Sequence, residues 1–174
     1  MHALIIGSTG SGKSRLVRES ILPAYRRKGV AALVLDPVCQ SWGAAPPWIW
    51  QTDDPVAYLE RAKRARRCVG IVDECSAHIG CDQRLARQCM WLATVSRNRG
   101  HMFYFLGQRL HHVPPSYRGQ CSHGYLFNLT PDDAEAAVSH FNLSTSYALA
   151  LTRLRPGLAY HVRPFTEPAL VRVF

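Results

Sequence analysis

The stretch Gly7-Ser8-Thr9-Gly10-Ser11-Gly12-Lys13-Ser14 decides the fold. It matches GxxxxGK[ST] at every fixed position. Upstream, residues 2–6 (HALII) are a short, mainly aliphatic run, which predicts a buried strand ending at Gly7. Downstream, Leu16, Val17, Ile21, Leu22 and Tyr25 recur at helical spacing. They predict an amphipathic helix over 13–27, stopped by Gly29. A strand, a glycine loop and a helix are the context in which this pattern cradles phosphate. Glycines let backbone N–H groups approach phosphate oxygens, and the helix N-terminus adds its positive dipole. Lys13 can reach the β- and γ-phosphates, and the Ser14 hydroxyl can ligate Mg²⁺. All eight residues are therefore candidates for binding ATP.

The same alternation runs along the chain. Apolar runs at 31–35, 68–72, 102–106 and 124–129 predict four more buried strands. Helices are predicted over 53–66, 82–97, 131–141 and 144–154, with a short helix or turn at Pro114-Pro115. Residues 38–52, rich in Pro, Gly and Trp, read as a loop. Two short strands near 158–162 and 170–173 form a terminal hairpin. Buried strands alternating with helices predict an α/β domain over residues 1–174. Its central sheet is five-stranded and mainly parallel, with helices on both faces and a C-terminal β-hairpin.

Two further signals sit at strand ends. Cys68-Val69-Gly70-Ile71-Val72 delivers Asp73 and Glu74. An acidic residue there is a second Mg²⁺ partner, so Asp73 joins Ser14 as a metal candidate. Glu74 is placed to polarise an attacking water as general base, which a hydrolase needs and a kinase does not. Phe103-Tyr104-Phe105-Leu106-Gly107 delivers Gln108. Strand C-termini face the ligand crevice of a parallel sheet, so Gln108 can sense the γ-phosphate or orient the water.

Composition narrows the partner. The 174 residues carry 21 Lys+Arg against 12 Asp+Glu, a formal net charge of +9. Residues 61–130 alone hold 11 basic and 3 acidic residues, and 18 of the 21 basic residues are Arg. An Arg-rich basic surplus suits a polyanion, nucleic acid first. Arg61, Lys63, Arg64, Arg66 and Arg67 can line a DNA path, pair with acidic groups of a neighbour, or form an ordinary solvated face. Trp42, Trp48 and Trp50 read as packing or interface anchors, although aromatics among arginines also suit single strands. No run reaches the roughly 20 apolar residues of a membrane span, and no secretory leader is expected. The six cysteines show no CxxC pair and read as reduced thiols. Cys75, His78, Cys81 and Cys89 lie close in sequence, but their spacing fits no structural zinc pattern.

Gly7–Ser14, Leu33-Val34-Leu35-Asp36-Pro37, Ile71-Val72-Asp73-Glu74 and Arg97-Asn98-Arg99-Gly100-His101 occur in that order, followed by a strand ending Gly107-Gln108-Arg109. This ordered set resembles the FtsK–HerA superfamily of DNA-pumping P-loop ATPases. Val113-Pro114-Pro115-Ser116-Tyr117-Arg118 and the closing Leu154-Arg155-Pro156-Gly157 extend the resemblance over nearly the whole chain. The short form is similar to the genome-packaging ATPases of tailless, internal-membrane icosahedral viruses. The resemblance implies a RecA-like fold and a homohexameric ring acting on double-stranded DNA. It also implies viral capsid or portal-vertex partners and a place in the host cytoplasm or at a capsid vertex. An arginine from a neighbouring subunit would act at each ATP; Arg97 fits that position best, with Arg99 and Arg118 as alternatives. A zonula-occludens-toxin-like phage assembly ATPase, a nucleoside or nucleotide kinase and a non-hydrolysing DNA-binding switch are the other readings.

Overall fold

The computed structural model describes residues 2–37, 42, 46–75 and 83–174. Strands β1 (His2–Ile6), β2 (Ala32–Leu35), β3 (Ile49–Thr52), β4 (Val69–Val72), β5 (Met102–Gly107), β6 (Cys121–Leu126), β7 (Leu158–Arg163) and β8 (Thr166–Arg172) form one sheet. Their order is β3-β2-β4-β5-β1-β6-β7-β8. The first six run parallel, and β7 and β8 are antiparallel additions. The sheet is thus eight-stranded and mixed, not five-stranded. The expected terminal hairpin is present, but it pairs with β6 and continues the sheet.

One strand falls inside the expected loop at 38–52. Ile49–Thr52 pairs in register with Ala32–Leu35 as the edge strand, half-buried along its length. Its four residues carry none of the long aliphatic patterning of a central strand, so neighbours rather than periodicity define it. The strand expected at 124–129 begins earlier, at Cys121. Beyond Leu126 the backbone bonds instead to the P-loop strand and to the C-terminal segment: the Phe127 N–H donates to Ile6 O and the Leu129 N–H to Leu151 O.

The helix expected over 13–27 is three segments: α1 (Lys13–Leu16), a π-helical stretch at Val17–Ile21, and α2 (Leu22–Arg26). Pro23 explains the break. It lacks an N–H and crowds the preceding turn, and the ladder widens just before it, with the Leu22 N–H reaching Val17 O. Next come α3 (Pro55–Arg64), α4 (Gln83–Thr94), α5 (Pro115–Arg118), α6 (Pro131–His140) and α7 (Ser146–Thr152). Helix α3 starts as its sequence predicts: Asp54 caps it by accepting from the Val56 N–H at 2.8 Å, and Pro55 fills the first turn. The helix expected over 82–97 is shorter, ending at Thr94, and Ser96–Arg99 forms a separate 3₁₀ turn.

Strand alternation splits the core in two. Leu4, Ile6, Leu33, Leu35, Val72, Phe103 and Phe105 pack under α3 to α7. Ala3, Ile5, Val34, Ile71 and Leu106 pack under the α1–α2 segment. Strand β5 lies between β1 and β4, with Ile6 opposite Gly107 and Val72 opposite Phe105. The residue after β5 therefore falls between the P-loop and the acidic pair after β4.

Candidate nucleotide site

The C-terminal ends of β1, β2, β4 and β5 converge on one cavity of about 310 Å³. Its walls include Lys13, Ser14, Asp36, Asp73, Glu74 and Gln108, with Thr9 and Gly10 from the P-loop. Backbone bonds hold the loop. The Gly7 N–H donates to Gly107 O, Ser8 N–H to Asn128 O, and Ser11 N–H to Ser8 O. Gly12 has φ 113, a conformation that favours glycine, and opens the helix.

Lys13 is 7% exposed, and its ammonium donates to Gly7 O at 2.7 Å and Ser8 O at 3.0 Å. Burial lowers its pKa, while Glu74 and Asp73 act to raise it. A phosphate would replace part of the hydration this ammonium has lost.

Asp73 sits past the end of β4, with its N–H donating to Leu35 O of β2. Burial pushes its carboxyl up to about 6. The Glu74 N–H opposes that shift, Glu74 and Asp36 charges add to it, and Lys13 opposes it. Glu74 has φ 42, rare for a residue with a side chain. Such a backbone costs on the order of 1–3 kcal/mol and survives where its surroundings hold it. Here two bonds do so. Its N–H donates to Asp73 Oδ1 at 2.9 Å, and its Oε1 accepts from Gln108 Nε2 at 3.0 Å.

The structure thus brings Lys13, Ser14, Asp73, Glu74 and Gln108 together. It adds Asp36, 2% exposed and next to Asp73, which sequence reading did not single out as a site residue. Its signal was a strand-end acid on β2; only the β2–β4 pairing shows that two such acids meet. Three hard oxygen donors, the Ser14 hydroxyl and the Asp73 and Asp36 carboxylates, border this cavity. That donor chemistry fits Mg²⁺.

The loop after Gln108 is anchored. Arg109 Nε donates to Asp133 Oδ2 at 2.9 Å, and the His111 ring and backbone nitrogens donate to Asp133 Oδ1. Asp133 is 1% exposed at the third position of α6. There Thr130 caps the helix and also donates to Oδ2. Burial alone would raise the Asp133 carboxyl; these donors outweigh it and hold it down at about 2.

Arg97 lies elsewhere. It is exposed on the 3₁₀ turn before β5, at the end of the parallel sheet opposite the P-loop. Arg99 donates to Lys63 O and lies over the Trp91 ring. Arg118 closes α5, half-buried. None of the three lines the cavity of its own chain. Cys75 and Cys89 are buried thiols, both pushed up by burial. His78 and Cys81 lie outside the described residues.

The same opposite end carries the arginine cluster. Trp48, Trp50, Arg61, Arg64 and Arg66 line a cavity of about 320 Å³, with the Arg61 guanidinium 5.7 Å from the Trp50 ring centre. Arg66, Asn98 and Arg99 line a second hollow. Neither has a carboxylate in its wall among the described residues.

No protein-family model and no curated protein matches the sequence. Solved structures do match. The DNA-packaging ATPase B204 of Sulfolobus turreted icosahedral virus superposes with a TM-score of 0.71 at 18% identity, covering 97% of this chain and 95% of that one. The genome-packaging NTPase B204 of Sulfolobus turreted icosahedral virus 2, bound to ATP-γS, gives 0.75 at 19%, with the same coverage. The pCW3 conjugation coupling protein TcpA gives 0.73 at 16%, covering 98% of this chain and 59% of that one. The chain therefore has the P-loop ATPase fold that these packaging and conjugation proteins share.

Proposed function

We propose that this chain is an ATP-hydrolysing motor that moves double-stranded DNA, with packaging of a viral genome into a preformed capsid as its setting. One observation carries the reading: a single cavity joins a P-loop lysine, two strand-end acids and a glutamate held by Gln108. The P-loop amides and Lys13 bind the β- and γ-phosphates. Glu74 takes a proton from water as it attacks the γ-phosphorus, the bond to the β-phosphate oxygen breaks, and ADP leaves. Gln108 aligns Glu74 and responds to the γ-phosphate. Ser14 and Asp73 are the residues to hold Mg²⁺, which supplies charge neutralisation at the phosphate oxygens. Arg97, remote from its own site and exposed, acts on the ATP of a neighbouring subunit in a homohexameric ring.

DNA enters the reading through the opposite end of the sheet. The strand ends opposite the P-loop gather Arg61, Arg64, Arg66 and Arg99 beside Trp48 and Trp50. Arginines without carboxylate partners in the wall suit phosphate. Both B204 matches are described as packaging enzymes, and TcpA as a conjugation coupling protein, which supports a DNA substrate. No helix among the described residues is long and apolar enough to cross a membrane. The capsid-vertex partners and the host-cell location implied by the resemblance belong to this reading.

The test is steady-state ATP hydrolysis at low salt with and without duplex DNA. Stimulation by DNA is expected. Phosphorylation of an added nucleoside, with no response to DNA, would replace the motor with a kinase.

A further inference from the structure

Gly10, Lys13 and Ser14 border two cavities. One is the acidic cavity already described. The other, about 270 Å³, opens on the far side of the phosphate loop and is walled by Gly12, Arg15, Arg18 and Phe174. A nucleoside triphosphate whose γ-phosphate faces Glu74 must carry its sugar and base out on the other side of the loop. This second cavity adjoins the loop at Gly10, Gly12, Lys13 and Ser14.

Its wall is built for a flat ring. Phe174 is 45% exposed, an aromatic side chain left half open beside a polar loop. Two glycines make room for it. A Cβ at Gly157 would lie 2.9 to 3.1 Å from three Phe174 ring carbons, and one at Gly12 3.0 Å from a fourth. Both glycines have positive φ, so substitution there is strained as well as crowded. The wall is tied to the loop it serves. The Gly157 N–H donates to Ser11 O at 2.9 Å, and the Val173 N–H to Gly157 O at 2.8 Å. Above the ring, the Arg15 guanidinium lies 4.4 Å from its centre, steadied by Glu19 through Nε at 2.8 Å. With Gly157 against one face of the ring and the guanidinium over the other, the outer face of Arg15, seated on Phe174, is the surface left for a base.

The wall is equally informative in its chemistry. Its polar side chains are Lys13, Ser14 and the exposed Arg15 and Arg18. Strong discrimination between bases needs a buried polar group that the wrong base leaves unpaired. Among the described residues of this wall, no carboxylate or amide plays that part on the base side.

Resting on the reading of Gly7–Ser14 as a nucleoside-triphosphate site, we infer that Phe174 and Arg15 form its base platform, which holds a purine by stacking and accepts ATP and GTP alike.

The test is equilibrium binding of ATP, GTP and inorganic tripolyphosphate to the full chain and to Phe174→Ala, Phe174→Tyr and Arg15→Ala. The wild-type chain should bind ATP and GTP within about threefold of each other, since a stacking surface does not read exocyclic groups. Phe174→Ala, which unseats the guanidinium that meets the base, should weaken both about tenfold and leave tripolyphosphate unchanged. Phe174→Tyr should bind as wild type, and Arg15→Ala should weaken ATP more than tripolyphosphate. Equal loss of ATP and tripolyphosphate in Phe174→Ala would overturn the inference, because the ring would then merely prop the phosphate loop. So would unchanged ATP binding, or rejection of GTP by about a hundredfold. A wild-type chain that binds none of the three removes the nucleotide site itself. One that binds tripolyphosphate but ignores the base removes only the platform.

Discussion

The Gln108 side-chain amide donates to the Glu74 carboxylate over 3.0 Å, joining residues 34 positions apart at the ends of neighbouring strands. This bond fixes which way Glu74 faces. It also gives the γ-phosphate a competitor for Gln108. Gln108→Ala should therefore lower kcat about tenfold or more while changing KM for ATP little, since a positioning contact acts mainly on the chemical step. Steady-state kinetics check it; a raised KM with intact kcat would make Gln108 a ground-state ligand instead.

Asp133 anchors the loop that carries Gln108. Asp133→Ala removes a helix-capping partner and the acceptor for Arg109 and His111. Arg109 faces water, so its share is small. The buried carboxylate's bonds to Thr130 and to the His111 backbone dominate. A loss of about 2 kcal/mol is expected in urea unfolding, with turnover impaired as well. Unchanged stability would show that the loop is held by its packing alone.

Buried histidines set the acid limit. Burial pushes His2 and His123 down to about 4 from 6.5. His2 accepts the Phe103 N–H at Nδ1, which requires that nitrogen unprotonated. The unfolded chain thus takes up these protons first, and stability falls as pH drops from about 6.5 toward 4. Asp73, raised to about 6, works the other way over part of that window, while His101, His140 and His161, also lowered by burial, add to the loss. A net loss of about 2 kcal/mol between pH 7 and 4.5 is expected in urea midpoints. A flat profile would contradict it.

Arg61, Arg64 and Arg66 are expected to bind phosphate. Their triple replacement by Ala should weaken duplex binding for every sequence alike. It should also reduce the slope of log K against log salt by about 2 to 3, near 0.9 for each phosphate left without its arginine. An unchanged slope would assign this basic end to a protein neighbour.

Arg97 can be tested by complementation. Arg97→Ala and Glu74→Gln should each be inactive alone. Co-expressed in mixed rings, they should regain activity at about one site in four, where an intact Glu74 meets a neighbour's intact Arg97. No recovery would place the arginine's action elsewhere.

The candidate site was legible in the sequence where it is local. Gly7–Ser14 carries its own turn geometry, and Asp73, Glu74 and Gln108 declare themselves at the ends of apolar strands. What stayed hidden depends on strand order. Asp36 joins the site because β2 lies beside β4. Strand β3 exists because β2 offers it an edge. Phe174 reaches the phosphate loop only because the terminal hairpin folds back along β6, over a sequence distance that no periodicity records. The π-helical turn was likewise signalled only by Pro23.

On the proposed function, Glu74 makes this cavity a hydrolase. Glu74→Gln keeps the side chain's shape and its reach to Gln108 but removes the base. Nucleotide binding and turnover should be measured on the same preparation. ATP affinity should stay within about threefold of wild type while hydrolysis falls by about a hundredfold or more. Hydrolysis at the wild-type rate with binding intact would show that Glu74 is not the base.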